Sequence, residues 1–197
     1  MPRSPEPARQ ALVAAAEALF AARGVDAVPV GDVVKEAGQR NSSAVQYHFE
    51  SKQGLLQAVM EPHQTRIDAA RLALLDEIDD APSVEMVVDV FVRPLAALLQ
   101  EESGRNYLMI QAQLVNVGDL DAVLPLRPGL ARAMVLLTEA PSDADPDSAA
   151  HRNTMIAILL LHGLADFARR RPDAENDERE AFTRLMDASI TAIIKGT

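Results

Sequence analysis

Residues 41–52 read NSSAVQYHFESK and gather on one short stretch the side chains best suited to hydrogen bonding with a polar partner. Amides both donate and accept, hydroxyls do so through a rotating O–H, and imidazole and phenol add polar atoms on rigid rings. Val45 and Phe49 are four residues apart, so a helix would turn both inward and leave Ser42, Ser43, Gln46, Tyr47 and His48 outside. Two adjacent outward aromatics, Tyr47 and His48, on a chain of net charge −10 need a partner to explain them.

Other chemistries find little footing. The four histidines, His48, His63, His151 and His162, make no HExxH or other close ligand spacing, and no serine stands in a G-x-S-x-G elbow. The glycines form no phosphate loop. Asp143, Asp145 and Asp147 fall at positions 1, 3 and 5 of a calcium loop. Ser148 stands where that loop needs glycine and Thr154 where it needs glutamate, so the string reads as a linker. The expectation is no catalysis, no metal and no cofactor.

Composition narrows the setting. With 197 residues, 48% hydrophobic and 24% charged, the chain can fill a real core and is not disordered in general. Absence of cysteine excludes disulfides and thiolate metal sites and fits a reducing compartment, so a cytoplasmic location is expected. The N-terminus, MPRSPEPARQ, has no apolar segment after its arginines and does not read as a secretory signal. The longest apolar run, MIAILLL, falls well short of the roughly 20 residues a bilayer requires, so no membrane span is expected. Charge is uneven: residues 1–60 hold six basic and six acidic side chains, leaving 13 basic against 23 acidic beyond them. A neutral head on an acidic body is the pattern of an anion-tolerant end.

The elements that would position the polar stretch are helical. Leu12, Ala16, Leu19 and Phe20 form one helical stripe that Gly24 can close, and Val30, Val33, Val34 and Ala37 form a shorter one between Pro29 and Gly38. A four-residue connector, Gly38–Asn41, leads to SSAVQYHF, with Asn41 or Ser42 capping the first amides. Two short helices joined by a glycine-containing turn and buttressed by a longer one make the helix-turn-helix plan. Ser51 caps a fourth helix, kinked at Pro62 and reaching towards Leu75 and Ile78. Further helices are predicted near 83–102, 104–117, 120–140, 146–171 and 175–195. No alternating strand pattern competes, so the fold class is all-α with about nine helices. Residues 1–50 would form the head and 51–197 a helical body. On the last two helices Met155, Ile158, Leu159, Phe182, Leu185, Met186 and Ile190 make broad apolar stripes, which suggest a two-fold interface between copies of the chain.

With these residues in place, the first 60 positions resemble the DNA-binding domain of the TetR family of bacterial transcriptional regulators. The likeness rests on the first-helix stripe ending in Phe20 and Gly24, the Ala37-Gly38 turn, and the run AVQYHFESKQGLL with its Tyr47-His48-Phe49 triplet and Lys52. It covers about a third of the chain. Gly31 departs from the basic or polar residue that members often carry there, and the turn Gly38–Asn41 is one residue longer than in many.

The resemblance implies a regulator, usually a repressor, that binds a palindromic operator as a homodimer and is released by a small-molecule effector. In the major groove Gln46 would read adenine bidentately, with Ser42, Ser43 and the methyl of Ala44 reaching bases more weakly. Tyr47, His48 and Lys52 would grip phosphates, and Arg40 is a further phosphate candidate from the turn. The paired aromatics would then be backbone clamps. Met86, Phe91, Tyr107, Met109, Gln111, Met134 and His162 mix flexible apolar surface with a few polar atoms and are the effector-pocket candidates. The alternative is a helical ligand-binding or protein-interaction module without effective DNA binding.

Overall fold

The computed structural model describes residues 5–39, 41, 43–78, 82–115, 126–140 and 149–196. Every α-helix and turn among them follows one order: α1 (Pro5–Arg23), α2 (Val30–Glu36), α3 (Ala44–Phe49), α4 (Lys52–Asp76), α5 (Val84–Ala96), a 3-10 turn (Ala97–Gln100), α6 (Glu102–Val115), α7 (Pro128–Glu139), α8 (Ala149–Arg170) and α9 (Asn176–Lys195). The expected all-α class holds, with nine α-helices and no strand among the described residues. Arg40, Ser42, the Asp143–Ser148 string and the first part of the helix expected at 120–140 lie outside the described residues.

Packing divides the chain into residues 1–64 and 65–197, a boundary inside α4, whereas the sequence places it at 50/51 where that helix starts. In the first unit Leu12, Ala16 and Phe20 of α1 are fully buried with Val28, Val33 and Val34, and Leu55, Leu56, Val59 and Met60 of α4 join them. Gly24 closes α1 by donating to the Phe20 carbonyl at 2.9 Å. The Ser51 hydroxyl accepts the Gly54 amide at 3.0 Å, so the expected cap of α4 is present. That helix continues through Pro62.

In the second unit α6 packs along α8, α9 lies against α5 and α8, and α7 against α5. One helix expected over 83–102 is divided. Pro94 near the end of α5 withholds a backbone donor, the next residues tighten into the 3-10 turn, and Glu101 turns extended before α6 begins. A Cβ on Gly104 would stand 2.3 Å from the Leu98 carbonyl oxygen, so only glycine lets α6 start this close to that turn. At Gly163 of α8 the contact is looser, with the flexible Met186 Sδ of α9 3.2 Å from where its Cβ would be. Phe167 and Phe182 stack across the same helix pair at 4.3 Å. A capping box of Glu175 and Glu178 starts α9, and Gly196 at φ 77° ends it.

Two glycines in the first unit should respond oppositely to alanine. A Cβ on Gly54 would lie 2.1 Å from the Phe49 carbonyl oxygen, whereas at Gly31 nothing lies within 4 Å. Gly54→Ala is expected to destabilise by about 1–3 kcal/mol, and Gly31→Ala to stabilise by roughly 0.5–1 kcal/mol, in urea unfolding. In the second unit, burial raises the carboxyl pKa of Asp187, whose Oδ1 has no hydrogen-bond partner among the described residues, and the nearby Asp89 raises it further against the pull of Arg93. Its ionised form therefore opposes folding above its folded-state pKa, and the penalty fades as pH falls through that value. Asp187→Asn should raise Tm at pH 7 by about 1–2 °C and leave it unchanged near pH 3, as followed by calorimetry.

Candidate nucleic-acid interface

The helix pair α2–α3 is built by backbone geometry first. Pro29, at φ −66°, leads into α2, where its missing N–H costs nothing. At the other end Gly38 adopts φ 64°, its amide donates to Lys35 O at 3.0 Å, and Gln39 N–H reaches Val34 O at 2.9 Å. This paired closure is a Schellman turn, which a residue with a Cβ would resist. Gln39 Nε2 also donates to Ala37 O at 3.3 Å.

The connector is longer than the sequence suggests, because α2 stops at Glu36 and α3 starts only at Ala44. Asn41 fills the gap: its Oδ1 accepts the Ser43 amide at 2.9 Å and its carbonyl accepts Ala44 N–H at 3.0 Å. Asn41 thus acts two residues ahead of the N-cap, and Ser43 at the N-cap makes no side-chain cap bond. At the far end Glu50 takes φ 64° and Ser51 N–H donates to Phe49 O at 2.7 Å, turning the chain into α4.

Within α3, Val45 and Phe49 are buried. Ser43 and Gln46 are exposed, Ala44 and His48 half-buried. Tyr47 is 77% exposed, the largest exposed aromatic surface described. Its ring meets His48 edge-on, 4.9 Å between centroids, so the two aromatics form one ledge beside Gln46. The structure therefore brings Gln46, Tyr47 and His48 together on one short helix, with Ser43 at its N-cap.

Lys52 lies at the start of α4. Its ammonium donates to Asp26 O at 3.5 Å and sits 6.0 Å from the Phe20 ring centroid. Arg9 was not foreseen at this site. Its guanidinium lies 5.4 Å over the Phe49 ring from α1, some forty positions earlier in the chain, and no local motif signals that contact. Arg23 pairs with Asp32 at 3.2 Å, which removes one positive charge from the available set and leaves Lys35 exposed on α2.

The pocket candidates occupy the second unit. Phe91, Tyr107 and Gln111 are buried, while Met86, Met109, Met134 and His162 are half-buried. Phe91 lies under Arg71, which the sequence reading missed: the guanidinium is 5.9 Å from the ring centroid and Nε donates to Val90 O at 3.2 Å. Burial lowers the Arg71 pKa, and the charge of Asp68 partly restores it. Burial likewise drives the Tyr107 hydroxyl well above the usual phenol range, against Arg71 and Arg127, so it stays neutral. Asp68 itself accepts the Leu130 amide at 3.2 Å in the first turn of α7, where a negative charge suits the helix dipole. A buried basic or acidic residue within an apolar stripe was the available signal for this pair. The interface candidates divide by face: Met155, Ile158 and Leu185 are exposed, Leu159 and Phe182 half-buried, and Met186 and Ile190 buried in the chain's own core.

Comparison with known proteins bears on the head directly. Residues 12–59 match the family model of bacterial regulatory proteins of the tetR family. No curated protein matches the chain. Among solved structures, one described as the molecular basis for control of antibiotic production by a bacterial hormone is 24% identical with TM-score 0.50, covering 92% of this chain and 96% of its own. A γ-butyrolactone receptor (ArpA-like protein) is 20% identical with TM-score 0.50, covering 95% and 98%. The TetR family protein CprB from S. coelicolor A3(2) is 20% identical with TM-score 0.48, covering 93% and 97%. At these identities the structures speak for the fold alone. Residues 12–59 thus carry the helix-turn-helix domain of the bacterial regulatory proteins of the tetR family, on a chain whose described residues are all helical.

Proposed function

We propose that the protein is a cytoplasmic, ligand-responsive transcriptional repressor that binds a palindromic operator as a homodimer and is released by a small molecule. The observation that carries this reading is α3. Its buried face, Val45 and Phe49, holds Gln46 and the Tyr47–His48 ledge outward in the segment that the family model matches.

In a major groove, Gln46 would pair with adenine through its amide, and Ser43 and Ala44 would touch neighbouring base edges. Tyr47, His48 and Lys52 would fix the register on phosphates, with Arg40 a further phosphate candidate and Ser42 a weaker base contact. Arg9, over the Phe49 ring and 4.0 Å from Glu6, lies beside this helix. Two heads must sit about 34–36 Å apart to use successive major grooves, so an effector that favours another spacing releases the DNA. Exposed Met155, Ile158 and Leu185 on α8 and α9 offer the apolar face through which two copies would join. The effector would bind near Phe91, Tyr107 and Gln111. Since two structures of the same fold are described by a γ-butyrolactone and a bacterial hormone, γ-butyrolactones are the first effectors to try.

Fluorescence anisotropy against the intergenic DNA flanking the protein's own gene, at two salt concentrations, tests the DNA half. Tight binding that weakens with salt is expected; no binding to that DNA or to a random-site selection would favour the ligand-binding module without DNA affinity. Gln46→Ala should cost about 1–3 kcal/mol and relax sequence preference, while Lys52→Ala should weaken all sequences alike and reduce the salt slope by about one. Leu185→Asp should convert the dimer to a monomer in analytical ultracentrifugation and lower operator affinity at least tenfold, with helical content unchanged.

A further inference from the structure

Gln111 is 1% exposed on α6, and its Oε1 is buried with no hydrogen-bond partner among the described residues. A buried acceptor left unpaired is costly, so such an atom calls for a donor from a water or a ligand. One helical turn earlier on the same face is Tyr107, whose hydroxyl feels the charges of Arg71 and Arg127. Arg71 is 6% exposed, lies over Phe91 and gives one of its five N–H donors to Val90 O.

We propose that Arg71 and Gln111 seat the polar head of a neutral effector that carries both a hydrogen-bond donor and an acceptor, a primary amide or hydroxy-carbonyl group, on an apolar tail. This deepens the effector reading above and rests on it. Gln111 Oε1 takes the donor, and the Arg71 guanidinium gives to the acceptor. Neutrality follows from Asp68. Its carboxylate is anchored on the Leu130 amide, with Gly129 so close that a Cβ there would stand 2.7 Å from Oδ1, and three residues before Arg71 on α4 it already sets a negative charge near that guanidinium. Arg127 adds little, because it is half-exposed and its Nη1 reaches Thr65 Oγ1 at 3.5 Å. An anionic head would meet both Asp68 and the Gln111 carbonyl. The tail is apolar because Val87 and Phe91, four apart on α5, and Leu108 beside Tyr107 on α6 are buried hydrocarbon.

Three probes of one tail length separate the cases: octanamide (donor and acceptor), octan-2-one (acceptor only) and octanoate (anion). Calorimetric titration of the full chain, without DNA, is expected to show octanamide binding about tenfold or more tighter than either of the others. Gln111→Leu and the length-matched Gln111→Met should each erase the octanamide preference while raising the unliganded Tm by about 2–8 °C. A Gln111 that is merely core, or that holds a water, would raise Tm in the variants yet leave probe ratios as in the wild type. Equal binding of amide and ketone, tightest binding of octanoate, or no binding of any probe at millimolar concentration would each overturn the proposal. Operator binding is read separately by anisotropy: DNA bound with no probe discrimination sinks the seat and keeps the regulator, and the converse sinks the regulator and keeps the seat.

Discussion

The head depends on the burial of two side chains. A helix of six residues forms too few internal hydrogen bonds to offset the cost of its first turn, so α3 has no stability of its own. Val45 and Phe49 fasten it, and since they lie four residues apart they also fix its rotation. Everything presented outward follows from that rotation: turning the helix by one residue, about 100°, would bury Gln46 and expose Val45. The surrounding chain supports the same two anchors. Gly38 closes α2, Asn41 leads into α3, Glu50 accepts a positive φ to turn out of it, and Gly54 lets α4 pass under the Phe49 carbonyl.

The second unit uses its interior differently. Among the described residues the buried side chains of the first unit are hydrocarbon apart from His63, which approaches Glu17 at 4.0 Å, whereas the second unit buries Asp68, Arg71, Tyr107 and Gln111. Burying such groups is unfavourable unless each finds a partner. Asp68 finds a helix N-terminus and Arg71 a carbonyl, a ring and a nearby carboxylate. Gln111 Oε1 finds none among the described residues. One helix connects the two chemistries in sequence: α4 supplies Lys52 to the first unit and Asp68 and Arg71 to the second.

The apolar stripe of the last two helices is only partly used within the chain. Gly163 brings α8 against Met186 of α9, and Phe167 stacks on Phe182, so part of the stripe is consumed within the chain. Ile190 is fully buried there as well. The remainder, Met155, Ile158 and Leu185, faces outward.

Much of this was legible in the sequence because it is written in local periodicity. The stripes Leu12–Phe20 and Val30–Val34, the caps at Gly24, Gly38 and Ser51, and the Val45–Phe49 spacing depend on residues within a few positions of each other, so helix existence and the outward set Gln46–Tyr47 could be read directly. The length of the α2–α3 connector and the break in the helix expected over 83–102 are not legible there, because a Schellman turn and a 3-10 turn after Pro94 are settled by backbone bonds that residue types only permit. What the tertiary structure alone decided are the meetings of distant residues: Arg9 over Phe49, Asp68 on the first turn of α7, Arg71 over Phe91, and the split of the α8–α9 stripe into buried Met186 and exposed Leu185. Periodicity says which residues share a helical face, but which neighbour covers that face depends on contacts between segments far apart in the chain, and no local pattern encodes them.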